Sequence, residues 1–160
     1  MIFDYTEIIP DRLYIGTFVR PQDVKFLEQM GITTIVNLQS DADIDNYNLS
    51  LKKLLEACLL SEIEHRRFPI PDFDPEALSA GLPQAVEEVE EILCASWAKL
   101  YVHCTAGINR SPTLAAAYLI KTRGLSAREA HDYVTSRRPC NPYLAILEEY
   151  EASLGSERNG

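Results

Sequence analysis

Cys104 and Arg110 stand six positions apart in VHCTAGINRSPT, the stretch from Val102 to Thr113, with Thr105, Ala106, Gly107, Ile108 and Asn109 between them. A cysteine thiolate is a strong nucleophile. A turn of this length with a glycine inside it can aim successive backbone N–H groups at one point and form an anion nest. A helix starting at the far side adds unpaired N–H groups and its positive dipole end. A tetrahedral oxyanion such as phosphate or sulfate fits that cradle, and the planar fork of Arg110 can bind two of its oxygens at once. The same positive surroundings favour a thiolate at Cys104, placed for in-line attack on phosphorus. The products are a phosphocysteine and a freed alcohol. Ser111 is placed to hydrogen-bond the sulfur as it leaves, and His103 to support the loop from beneath. This chemistry needs no metal and no cofactor, and the sequence holds no cluster with metal-ligand spacing.

The elements around this stretch must supply a strand before Cys104 and a helix after Arg110. KLYVH (99–103) reads as that strand, and PTLAAAYLIKTRG as that helix. Upstream, LYIG (13–16) and the β-branched TTIVNLQ (33–39) read as strands, and EHRRFPI (64–70) can return as another. PQDVKFLEQM (21–30) and NLSLKKLLEACLL (48–60) read as helices. The segment 76–96 carries Leu82, Ala85, Val86, Val89, Ile92 and Leu93 on one side of an acidic helix, with Pro83 at a kink or in a first turn. Ser126 and Glu129 form a capping box for a helix over SAREAHDYVTSRR, and YLAILEEYEASL closes the chain. Strands separated by helices predict an α/β fold: a central, mostly parallel sheet of about five strands flanked by helices. Ligands bind beyond the carboxyl ends of strands in such sheets, and Cys104 sits at one.

The 160 residues predict one domain over 1–160, with a disordered tail from about position 154. Fifteen basic against 24 acidic residues give a net charge of −9, which argues against a nucleic-acid footprint and a polybasic membrane anchor. No apolar run approaches the length of a membrane span, and the N-terminus shows no secretory signal pattern. Cys58, Cys94, Cys104 and Cys140 are scattered without a CxxC pair, which predicts free thiols and a cytoplasmic setting.

The loop HCxxGxxRS resembles the signature of cysteine-dependent protein tyrosine and dual-specificity phosphatases. The resemblance implies a general acid on a separate loop, an aspartate lying a little over thirty residues before the nucleophile in the compact dual-specificity members. PDFDP (71–75) holds two: Asp72 is 32 residues before Cys104 and Asp74 is 30 before it. Asp72 is the expected acid and Asp74 the reserve. RRPCNPYLAILEEYE resembles the end of such a domain. DYTEIIPDRLYIGT, IVNLQSDADI, RRFPIPDFDP, YVHCTAG and RRPCNP resemble, more narrowly, the catalytic domains of laforin and the plant starch-excess glucan phosphatases. That narrower resemblance implies an aromatic platform for glucan chains, with Tyr5, Tyr47 and Phe73 at the matching places. This chain departs from that group in having Asn109 before the arginine and Ser111 after it, where glycine and alanine are usual. Ser111 returns it to the broader pattern.

The implied substrates are phosphotyrosine or phosphoserine/threonine in proteins, with phosphorylated glucan as the alternative and phosphoinositide as a third. Two readings of other classes stay open. One is a phosphate-binding module without turnover, for which a side chain at Asn109 crowding the loop is the motive. The other is sulfur or arsenate chemistry on a similar loop, with Cys140 as the remote resolving thiol. Arg137 and Arg138 read as solvated.

Overall fold

The computed structural model describes residues 3–159. Five strands form one sheet: β1 (Tyr5–Ile9), β2 (Leu13–Gly16), β3 (Thr34–Asn37), β4 (Glu64–Arg67) and β5 (Leu100–His103). Their order is β1-β2-β5-β3-β4, with β1 antiparallel to β2 and the remaining neighbours parallel. β5, which leads to Cys104, is therefore central. Side chains on a strand alternate between faces. Leu100 and Val102 thus join one buried cluster while Tyr101 joins the other.

Among the described residues seven α-helices cover the two faces: α1 (Val24–Met30), α2 (Asp41–Asn46), α3 (Leu51–Leu60), α4 (Pro75–Leu93), α5 (Arg110–Arg123), α6 (Ala127–Arg137) and α7 (Leu144–Asn159). Val36, Leu100 and Val102 pack with residues of α4, α5, α6 and α7 on one side. Ile35 and Tyr101 pack on the other side with Val24 and Leu27 of α1 and Leu54 and Cys58 of α3. α5 is the most enclosed helix. It is buried at Ser111, Pro112, Thr113, Leu114 and Ala115 in succession, so its N-terminal turn is fixed within the core.

The differences from the sequence reading have physical causes. β1 lacks a contiguous apolar signal because four of its five residues are only partly buried or exposed. α2 is six residues, three of them aspartates and only Ala42 and Ile44 apolar, held by a Ser40–Asp43 capping box. The helix expected from position 21 opens as a 3-10 turn, Pro21–Asp23, before α1 begins. The returning strand stops at Arg67, short of the proline at 69. Pro83 lies inside α4 instead of in its first turn. α7 runs to Asn159, and Leu154 packs into the core.

Candidate active site

The chain leaves β5 at His103, turns through residues 104–109, and enters α5 at Arg110. Each backbone carbonyl of that turn finds a donor outside it. Cys104 O accepts from His103 Nδ1 at 2.9 Å, and Thr105 O accepts from the Phe18 N–H at 3.0 Å. Ala106 O and Gly107 O accept from Arg138 Nη2 and Nε at 3.2 and 2.7 Å. Ile108 O accepts from the Asn141 N–H at 2.8 Å. Asn109 O accepts from the N–H and the hydroxyl of Thr113, at 3.0 and 2.7 Å. A trans peptide points its N–H away from its C=O. With the carbonyls tied outward, the N–H groups of 105–110 are left for the concave side. Gly107 has φ 68°, and a Cβ there would lie 2.6 Å from Arg138 Nη2 and 2.7 Å from the Gly16 carbonyl carbon, so only glycine fits.

Arg110 is buried and held on several sides. Its Nη1 donates to Asp43 Oδ2 at 2.7 Å and to Ile70 O at 2.8 Å. Its Nη2 lies 3.2 Å from Asp72 Oδ2 and donates to Thr105 Oγ1 at 3.4 Å. Its Nε is buried without a partner among the described residues. A buried charged donor in that state is costly unless a ligand answers it, and Nε with Nη2 makes the fork that a phosphate accepts.

Asp43 Oδ2 also accepts from the backbone N–H and hydroxyl of Ser40, at 2.9 and 3.0 Å. Burial pushes the Asp43 carboxyl up, but hydrogen bonds from Arg110 and Ser40 outweigh it and hold the group below its usual value. Cys104 Sγ lies 3.5 Å from Ser111 Oγ, and both residues are buried. His103 is fully buried and pushed down to about 3, chiefly by that burial. It is neutral, with the Nδ1 proton on the Cys104 carbonyl.

The two aspartates of the 71–75 loop have separate duties. Asp74 caps α4, its Oδ1 accepting from the Ala77 N–H at 3.0 Å. Asp72 accepts from the Phe73 N–H through Oδ1 and turns Oδ2 to Arg110. A pocket of about 220 Å³ is lined by Asp72 and Phe73 on one side and by Cys104, Ala106, Ile108, Asn109 and Arg110 on the other. The structure therefore brings Cys104, Arg110, Asp72 and Phe73 together. Tyr5 and Tyr47 do not line this pocket. Tyr5 packs among Phe3, Tyr14 and Phe26, and Tyr47 lies against Phe18 with ring centroids 5.3 Å apart.

The family model for the dual specificity phosphatase catalytic domain matches residues 13–153. The chain belongs to this family. A phosphoglucan phosphatase from Castanea sativa is 32% identical over 152 residues, covering 94% of this chain and 40% of that protein. Human dual specificity protein phosphatase 5 is 29% identical over 152 residues, covering 92% of this chain and 36% of that protein. The chain thus spans two fifths or less of the length of these two relatives. The crystal structure of PTPMT1 shares the fold with a TM-score of 0.78 at 21% identity, covering 97% of this chain and 98% of that one.

Around this dual-specificity phosphatase loop lie three residues that the sequence reading did not place. Asp43 holds Arg110 from a helix 67 residues away in the chain. Arg138 is buried instead of solvated, and it also meets Thr6 Oγ1 and Asp4 Oδ2, each at 3.2 Å. Gln39 reaches Thr105. Ser40, three residues before Asp43, was the one local signal available for this group.

Proposed function

We propose that this chain is a phosphomonoester hydrolase that acts through a phosphocysteine at Cys104 on phosphotyrosine and phosphoserine/threonine in proteins. The observation that carries it is the outward tethering of every carbonyl from Cys104 to Asn109, which turns the loop amides and the unpartnered Arg110 Nε to one side. Those donors suit the equatorial oxygens of a phosphoryl group in flight, where positioning and electrostatics supply most of the rate.

The Cys104 thiolate attacks phosphorus and forms the S–P bond as the P–O bond to the alcohol breaks. Asp72 gives its proton to the leaving oxygen. Water then attacks the phosphocysteine while Asp72 takes its proton, the S–P bond breaks onto sulfur, and Ser111 donates a hydrogen bond to that sulfur. His103 keeps the loop in register through the Cys104 carbonyl. Every bond made or broken involves only these groups, substrate and water, and inorganic phosphate or sulfate is expected to bind in the loop. A catalytic domain over 1–160, acting in a reducing cytoplasmic setting without a nucleic-acid partner, is part of this reading. Among the described residues no helix is long and apolar enough to cross a membrane.

Phosphorylated glucan is the second reading. Phe73 favours it, since this residue is 80% exposed at the pocket rim beside Asp72, and the Castanea sativa relative is named for that activity. Arsenate chemistry gains nothing here, because burial pushes the Cys140 thiol up, away from the thiolate a resolving cysteine requires.

The deciding experiment compares phosphate release by wild type and Cys104→Ser on phosphopeptides and on phosphorylated amylopectin. Release from peptides that is lost in Cys104→Ser supports the protein phosphatase. Release from amylopectin alone, reduced by Phe73→Ala, moves the assignment to glucan. Absence of release from both, and from an aryl phosphate, leaves a binding module.

A further inference from the structure

We propose that Gln39 is a positioning residue of this phosphate site, acting through Thr105 on Arg110. The proposal rests on the hydrolase reading above and extends it to a residue two positions beyond β3.

Gln39 is 1% exposed, and its side-chain amide reaches across to the loop, Nε2 donating to Thr105 Oγ1 at 3.0 Å. Its backbone is fixed at both ends. The N–H donates to Asn37 Oδ1 at 2.9 Å, and the carbonyl accepts from Arg67 Nη2 at 3.0 Å. A buried amide fixed at its backbone has little freedom to wander, so it presents its donor to Thr105 at a constant place.

A threonine hydroxyl has two acceptor lone pairs and one proton. One lone pair of Thr105 takes the Gln39 amide, and the other takes Arg110 Nη2 at 3.4 Å. Gln39 thereby keeps the hydroxyl oxygen turned as an acceptor toward the guanidinium.

The need for this second hold follows from the partners of Arg110. Asp43 and the Ile70 carbonyl both grip Nη1, so they fix one end of the planar fork and leave its tilt free. Nη2 has two partners, Asp72 and Thr105. Asp72 carries a proton in part of the proposed cycle, and its ion pair with Arg110 lapses whenever it does. Thr105 does not change charge, so it holds the plane of the fork through both steps. Errors of about 1 Å in such a plane cost on the order of a hundredfold in rate.

The test is a double-mutant cycle with Gln39→Met, which keeps length and loses the donor, and Thr105→Val, which keeps shape and loses the hydroxyl. The readouts are kcat/KM on an aryl phosphate, the dissociation constant for tungstate, and thermal unfolding. Each single variant is expected to lower kcat/KM and tungstate affinity about tenfold. The double variant should be no worse than Thr105→Val alone, and Thr105→Ser should restore activity to within about threefold of wild type. Thr105→Val within twofold of wild type overturns the proposal, and so does a double variant that loses the product of the single effects. If Gln39→Met does not fold, the Thr105→Val and Thr105→Ser pair decides through tungstate affinity. A wild type that binds tungstate but hydrolyses no ester sinks the hydrolase reading and leaves the tungstate cycle to judge Gln39.

Discussion

Arg110 Nη1 and Asp43 Oδ2 meet at 2.7 Å, and both side chains are shielded from solvent. Removing one member of such a pair strands the other charge, which costs more than the pair itself is worth. Asp43→Ala is therefore expected to destabilise the protein by about 3 kcal/mol. Asp43→Asn, which keeps an acceptor for Nη1, should cost less. Because the Asp43 carboxyl is held below its usual value, its stabilising contribution is complete above about pH 4. It is lost as pH falls through the lower folded value. Urea unfolding of wild type and Asp43→Asn between pH 2 and 7 checks this: the gap between them should close at the acid end. A constant gap would break the account.

Asp72 and Asp74 are two residues apart, yet the structure gives them separable consequences. Asp72 faces Arg110 across the pocket, whereas Asp74 holds the first turn of α4. Asp72→Asn should lower kcat by roughly 10²- to 10⁴-fold, the usual range for a lost general acid. It should also bind tungstate at least as well as wild type, since an anionic competitor for Nη2 is gone. Asp74→Ala should cost about 1 kcal/mol of stability through the lost cap, with kcat little altered. Steady-state rates with thermal unfolding separate the two, and a rate collapse confined to Asp74→Ala would reverse the assignment.

What could be read from the sequence follows from how local each cause is. Cys104, Arg110 and the small loop between them are contiguous, so one stretch displays the cradle. β3 and β5 are fully buried around Ile35 and Val36 and around Leu100, Tyr101 and Val102, contiguous apolar residues that stand out for the same reason. Asp43, Gln39 and Arg138 owe their roles to contacts 67, 66 and 31 residues away, and apart from the Ser40–Asp43 capping box their neighbours in sequence give no sign of this. Arg138 in particular follows Arg137, which is exposed and stacks on Tyr133 with its guanidinium carbon 3.4 Å from the ring centroid. The pair reads alike, and only burial divides it. Asp72 and Asp74 were both candidates on spacing until the cap on α4 claimed one.

His103 supplies a pH signature. Burial pushes it down to about 3 in the folded protein, while an unfolded histidine titrates near 6.5. Between these values the unfolded chain binds a proton that the folded one refuses. Stability therefore falls as pH drops from 6.5, by roughly 1.4 kcal/mol per pH unit for this group, and levels off near the folded value. His65, pushed down to about 4 by burial, contributes with the same sign. His103→Asn should remove about one proton from the slope measured between pH 4 and 6.5 by denaturant unfolding. An unchanged slope would mean that His103 is protonated in the folded state, contrary to its burial.

The rim of the pocket also sets a preference among phosphate esters. Among the described residues that line it, Arg110 is the one cation, and both of its Nη atoms already meet carboxylates. The rest of the lining, Asp72, Phe73, Cys104, Ala106, Ile108 and Asn109, carries no positive charge. Phe73 and Ile108 are 80% and 44% exposed. A second phosphate next to the reacting one would meet no counter-charge there, within a protein of net charge −9. Singly phosphorylated peptides should therefore be turned over with higher kcat/KM than doubly phosphorylated ones of the same sequence. Asn109→Lys should narrow that gap about two- to fivefold at low salt, less at high salt, as expected for a partly exposed charge. Steady-state kinetics on the matched peptides at two ionic strengths measures both effects. A wild type that favours the doubly phosphorylated peptide would show that the cations deciding specificity lie outside this rim.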